Sequence, residues 1–132
     1  MRYAFLIHNE EPAEGEIPAA AIEEMQRAFD AYGRALQEAG VLIGGDILFP
    51  QAATTTVTRR TGTLQVQDGP FAATKEALAG VFVLEVPDLD AALGWAEKCP
   101  AATYGTLEVR PVATACIAGE WTASCVAGES TA

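Results

Sequence analysis

Ile22, Met25, Phe29, Tyr32 and Leu36 recur at steps of 3, 4, 3 and 4 residues, the repeat of one face of an α-helix. Glu23, Glu24, Gln26, Arg27, Asp30 and Arg34 fill the positions between them. The stretch from about Pro18 to Ala39 therefore reads as an amphipathic helix with a solvated outer face. Pro18 suits its first turn, where a missing N–H costs nothing, and Gly40 suits the residue just past its end. A helix with one apolar stripe must bury it against another layer. The flanking sequence supplies that layer. Tyr3–His8 is a short aromatic and aliphatic run, read as a central strand buried on both faces. Val41–Leu48 reads as a second strand, and its Gly44-Gly45 marks a bulge or a close backbone approach.

The same order returns later in the chain. Val81–Val86 is strand-like, and Asp88 is placed to cap a helix with Leu89, Ala92, Leu93 and Ala96 on its inner face. Cys99-Pro100 ends that helix, and Thr106–Val112 alternates as a last strand. Between the two units, Thr54–Arg59 and Thr63–Gln67 flank Arg60-Thr61-Gly62 as a hairpin with one wet face. The expected fold is α+β and ferredoxin-like. Two β-α-β units share an antiparallel or mixed sheet, helices lie on one face, and a β-hairpin is inserted. The bare face of such a sheet needs its own cover if its side chains are apolar. A homodimer stacked sheet on sheet, with a pocket left between subunits, is the simplest one. Residues 1–112 make this domain. Residues 113–132, rich in Ala, Gly, Ser and Thr, make a tail in which Gly119 turns a short hairpin or an arm reaches the partner.

Eighteen acidic residues against eight basic ones leave a formal net charge of −10, which repels nucleic-acid phosphates and anionic lipid. The N-terminal apolar run is too short for a signal-peptide core, and no stretch approaches the ~20 apolar residues of a membrane span. A cytoplasmic protein is expected. Cys99, Cys116 and Cys125 show no CxxC spacing, so neither a disulfide framework nor a structural zinc site is expected. No phosphate-cradling glycine loop or nucleophile elbow is present, and no cofactor or metal is expected.

Two features carry chemistry. Asp68-Gly69-Pro70-Phe71 places an acid before a flexible and a rigid residue. Asp68 there either accepts N–H bonds at a turn while Phe71 anchors in the core, or is aimed by the rigid turn into a cavity. His8, the sole histidine, ends the first strand. It is a candidate acid or base because its ordinary pKa lies near neutrality, with Asp68 or Asp46 as the carboxylate that orients it. The other reading of His8 is a strand-end ring bonded to a backbone carbonyl. Arg59 and Lys75 are candidate ligand-binding cations.

The run from Asp68 to Glu76 resembles the signature of the DGPF family, within the larger YCII-related superfamily. The aromatic first strand from Arg2 to Ile7, Ala39–Gly45, Val86–Ala92 and Glu108–Val112 carry the same resemblance, which spans roughly residues 1–112. It implies a dimeric α+β barrel of ferredoxin-like type. One branch of the superfamily holds a dehydrochlorinase of chlorinated hydroxyquinols, with a proposed His–Asp active site whose histidine lies near the start of the first helix. Ala19–Met25 contains no histidine here, so that dyad does not carry over. Members found beside or fused to sigma-factor domains imply a regulatory or ligand-sensing role. The expected function is accordingly a non-catalytic small-molecule-binding or regulatory homodimer. The alternative is a lyase-like, dehydrochlorinase-like acid/base enzyme using His8 with Asp68 or Asp46.

Overall fold

The structure is a computed structural model and describes residues 1–124. Its main sheet has four strands. β1 (Arg2–Glu10) and β5 (Glu76–Glu85) are central, and β2 (Leu42–Ile47) and β6 (Thr106–Pro111) are the edges, in the order β2-β5-β1-β6. Every pairing is antiparallel, which settles the choice between antiparallel and mixed. Helices α1 (Ala19–Glu38) and α2 (Leu89–Lys98) make the two crossovers. This is an α+β arrangement with ferredoxin-like strand order.

One sheet face makes the core. Tyr3, Phe5 and Ile7 of β1 and Phe82 and Leu84 of β5 are buried with Tyr32 and Leu36 of α1 and Ala92 and Ala96 of α2. The residues between them on β1, Ala4, Leu6 and His8, are only half-buried. The first strand is therefore covered on one face rather than both, because both helices lie on the same side. The helical stripe is likewise buried only at its end. Tyr32 and Leu36 are sealed, whereas Ile22 and Met25 keep 45% and 36% of their surface. In α2 the buried line runs through Ala92 and Ala96 to Cys99. Leu89 and Leu93 flank it, half-exposed, because small alanines let the helix sit close to the sheet.

The element ends follow their local chemistry. Asp88 Oδ1 accepts the Ala91 N–H at 2.9 Å and caps α2. At the end of α1, Gly40 takes φ +72°, its N–H donates to Gln37 O, and Val41 N–H donates to Leu36 O. That is a Schellman closure. Gly44-Gly45 combines both sequence readings: the β2–β5 register shifts between Leu42 and Gly44, and a Cβ on Gly45 would meet the Phe82 ring at 2.5 Å.

The hairpin is β3 (Thr55–Thr58) with β4 (Gln65–Asp68), attached within the long connection from β2 to β5. A second hairpin pairs β7 (Thr114–Ile117) with β8 (Glu120–Ala123). It turns on Ala118 and Gly119, both at positive φ, as a two-residue primed turn requires. Residues 125–132, including Cys125 and the end of the tail, lie outside the described residues. The fifth strand starts at Glu76, ahead of the Val81 read from sequence. Ala77 and Gly80 have weak strand propensity, and it is the pairing of Ala77 and Leu78 with Asn9 and His8 that draws the segment into the sheet.

Candidate functional site

His8 stands on the sheet face that no helix covers. Its cross-strand neighbours are Leu78 on β5 and Thr106 on β6. Against this end of the sheet lie two segments of the β2–β5 connection, residues 48–54 and 70–75. They enclose an open cleft of about 850 Å³ with His8 and Leu78 on its floor. Leu48 and Phe49 on one side and Pro70 and Phe71 on the other make it largely apolar, while Thr54, Thr56 and Thr74 add hydroxyls.

Side-chain bonds to backbone hold the walls. The Gln51 amide donates from Nε2 to Thr74 O at 3.1 Å and accepts from Thr74 N–H at Oε1 at 3.2 Å. It thus imitates a strand partner and ties the two walls together. Glu11 Oε1, just past β1, accepts the Gln51 N–H at 2.8 Å and fixes that wall to the sheet. Thr56 Oγ1 donates to Gly69 O at 2.7 Å, and Gly69 N–H donates to Thr54 O at 2.7 Å.

These bonds also explain the turn at Asp68. Asp68 closes β4 opposite Thr55, Gly69 takes φ +97°, and the Gly69 N–H is already committed to Thr54. Among the described residues no backbone N–H bonds to the Asp68 carboxylate, and Asp68 is exposed. Phe71 is not a core anchor. It is 75% exposed at the cleft, with the Arg60 guanidinium 5.7 Å from its ring centroid. The expectation failed because Pro70 throws Phe71 toward the hairpin side, away from the helices.

The carboxylate beside His8 comes from β6. Glu108 Oε1 lies 2.7 Å from His8 Nε2, and Arg110 Nη2 lies 3.8 Å from Glu108 Oε2. Nε2 is closed to solvent and the carboxylate approaches it off the line of its N–H. The contact is a short polar approach rather than a well-aligned hydrogen bond. Asp46 is on the same sheet face, in the row Asp46–Val81–Leu6–Glu108, which sets it two strands from β1, roughly 10 Å away. Asp68 does not border the cleft, and neither do Asp46, Arg59 or Lys75. Arg59 is exposed at the hairpin turn, and Lys75 is exposed between Thr74 and Glu76, which do border it. Of the candidate catalytic and ligand-binding residues His8, Asp68, Asp46, Arg59 and Lys75, the fold brings only His8 into the cleft. In the sequence Glu108 is a polar position of an alternating strand and part of the Glu108–Val112 resemblance, with no signal that pairs it with His8.

A second hollow lies on the helix side, under the exposed half of the α1 stripe. Two adjoining cavities of about 490 and 410 Å³ share Asn9, Met25, Gln26 and Tyr104. The Tyr104 phenol is pushed up by burial and, secondarily, by nearby Cys99. This hollow offers an apolar surface with the polar groups of Asn9, Gln26 and Tyr104, and Glu10 at its margin. Cys99 itself is buried, and burial raises its thiol despite N–H bonds from Ala101 and Ala102. Among the described residues no three His, Cys, Asp or Glu side chains converge as a metal site, and no helix is long and apolar enough to cross a membrane.

An uncharacterized protein of Rhizobium meliloti (strain 1021) is 36% identical over 115 residues, covering 86% of this chain and 93% of that protein. The YCII-related domain matches residues 1–121, past Val112 and through most of the β7–β8 hairpin. The chain belongs to the YCII-related domain family.

Proposed function

We propose that this protein is a small-molecule-binding homodimer, with a regulatory role read from ligand occupancy of the cleft between residues 48–54 and 70–78. The observation that carries the proposal is the place of the sole histidine. His8 sits on the floor of a largely apolar cavity of about 850 Å³, within the usual range for small-molecule sites, which pair apolar walls with a few polar groups. The dimer is supported by the bare sheet face, where Ala4, Leu6, Val81 and Val83 are half-buried and flanked by Asp46, Glu108 and Arg110. A second copy would remove those apolar side chains from water.

The test is a ligand screen by thermal shift on wild type and His8→Ala. A ligand at 100 times its Kd stabilises by about 2.7 kcal/mol. A compound that raises the wild-type Tm and loses the effect in His8→Ala supports the site; one that stabilises both equally binds elsewhere. A monomer at micromolar concentration in analytical ultracentrifugation would remove the dimer from the proposal.

The short His8–Glu108 contact favours a second reading, a lyase-like acid/base enzyme. A carboxylate that orients an imidazole beside an apolar cavity is the arrangement that proton transfer needs. Ligand turnover lost in His8→Ala, with binding retained, would separate this reading from the first.

A further inference from the structure

We propose that Glu108 is a positioning residue for His8: its carboxylate accepts from an N–H at Nε2 and leaves Nδ1 as the acceptor that serves the cleft. The proposal rests on reading the cleft as a binding site. It starts from the two ends of one ring. The His8 side chain keeps 27% of its surface and borders the cleft, but Nε2 is shut off from solvent. The accessible part of the ring is therefore not Nε2. The group that meets Nε2 is Glu108 Oε1 at 2.7 Å. An ionised carboxylate only accepts hydrogen bonds. A lone pair on Nε2 at that distance would face a second lone pair, whereas a proton there converts the contact into attraction. Neutral imidazole carries one proton, so Nδ1 is left as the acceptor. Glu108 is half-exposed, so a small rotation of its side chain would bring Oε1 into line with an Nε2 proton; its other oxygen lies 3.8 Å from Arg110 Nη2.

The consequence is a ligand class. The cleft takes a molecule with an apolar body that presents an O–H or N–H donor to Nδ1. Glu108 has no part in the cleft lining and acts through His8 alone.

The test uses ligand-free protein, so it succeeds or fails independently of any ligand screen. With a single histidine in the chain, 15N-labelled protein gives one set of imidazole signals. In the neutral ring the expected result is one proton, on Nε2, protected from solvent exchange. Glu108→Ala should speed that exchange tenfold or more, because the charge-assisted bond no longer has to open first. Glu108→Gln should retain part of the protection through its amide oxygen. Glu108 is half-exposed on an edge strand, so an unchanged backbone amide spectrum in both variants is expected and separates this effect from misfolding. A neutral ring with its proton on Nδ1, or exchange unaffected by Glu108→Ala, would overturn the assignment.

Discussion

Gly45→Ala probes how tightly the core holds the sheet that carries His8. The added methyl would lie 2.5 Å from Cδ1 and Cε1 of Phe82, about 1 Å inside normal carbon–carbon contact. Phe82 has little room to retreat. It is 8% exposed, its ring is parallel to Phe29 at 6.5 Å, and the Tyr32 edge meets it at 5.5 Å. Tyr32 is in turn held by its hydroxyl, which donates to Trp95 O at 2.9 Å. Overpacking of this kind costs about 1–3 kcal/mol. Alanine also narrows the unfolded ensemble, which offsets about 0.4–1 kcal/mol. The net expectation is a loss of about 1–2 kcal/mol, or roughly 3–6 °C in Tm for a domain of this size. Gly44 is the control beside it. It faces the other side of the sheet, and a Cβ there meets nothing within 4 Å. Gly44→Ala should be neutral or stabilise by up to about 1 kcal/mol. Urea unfolding of both variants decides the matter. It should be run at two protein concentrations, so that any contact made by Gly44 across a dimer is read separately from the fold. Phe82→Leu in the Gly45→Ala background should couple with it by more than about 0.5 kcal/mol. Equal stability of the two alanine variants, or simple additivity with Phe82→Leu, would refute the close-approach argument.

Gly40→Ala should cost about 1–2 kcal/mol in urea unfolding, because φ +72° at the end of α1 puts a Cβ against the following carbonyl. Alkaline pH should weaken the fold. Burial raises Cys99 above its ordinary 9.0 and Tyr32 and Tyr104 above 10.0. The unfolded chain therefore releases those protons first, and the stability these groups contribute, complete below pH 9, is lost as pH climbs toward the folded values. Tyr32→Phe should flatten part of that loss above pH 10 while costing about 1 kcal/mol at pH 7 through the bond to Trp95 O; an unchanged alkaline slope would contradict it. Gln51→Ala should speed amide exchange at Thr74 and proteolysis of residues 70–75 with less than about 1 kcal/mol change in global stability. Its two bonds hold a cleft wall rather than the core.

What the sequence makes legible is local chemistry. Asp88 caps a helix through the N–H three residues on, Gly40 ends one by its own dihedral, and Gly62 turns a hairpin at φ +89°. Each depends on residues a few positions away, and each was readable. The 3-4-3-4 stripe likewise located α1, but not how far along it the sheet would reach, because burial depends on where a second layer ends. The Asp68–Phe71 motif was misread for the same reason. Its turn is local, and the side on which Phe71 emerges is not. The partner of His8 was the least accessible reading. Glu108 is 100 positions away, and only the register that sets Thr106 opposite His8 and Glu108 opposite Leu6 makes the two side chains diagonal neighbours.

Register also explains why the cleft opens at this end of the sheet. Ile7 pairs with Gly80, but His8 pairs with Leu78, so Ala79 is an extra residue on β5. In unbroken pairing His8 would oppose Ala79, and the period of two would turn Leu78 toward the helices. The bulge reverses that parity. Leu78 and Glu76 come to the face that carries His8, while Ala77 turns inward and is buried. The Ala79 carbonyl accepts the Leu48 N–H at 2.9 Å just beyond the end of β2, which starts the 48–54 wall beside the histidine. Ala79 therefore sets both the apolar floor next to His8 and the point where the connection leaves the sheet. β-Bulges redirect side chains in this way at functional sites in many sheets. Here the bulge acts on the strand beside the His8 row, so the floor of the cleft is a product of sheet register, while the β2–β5 connection and its hairpin supply the walls.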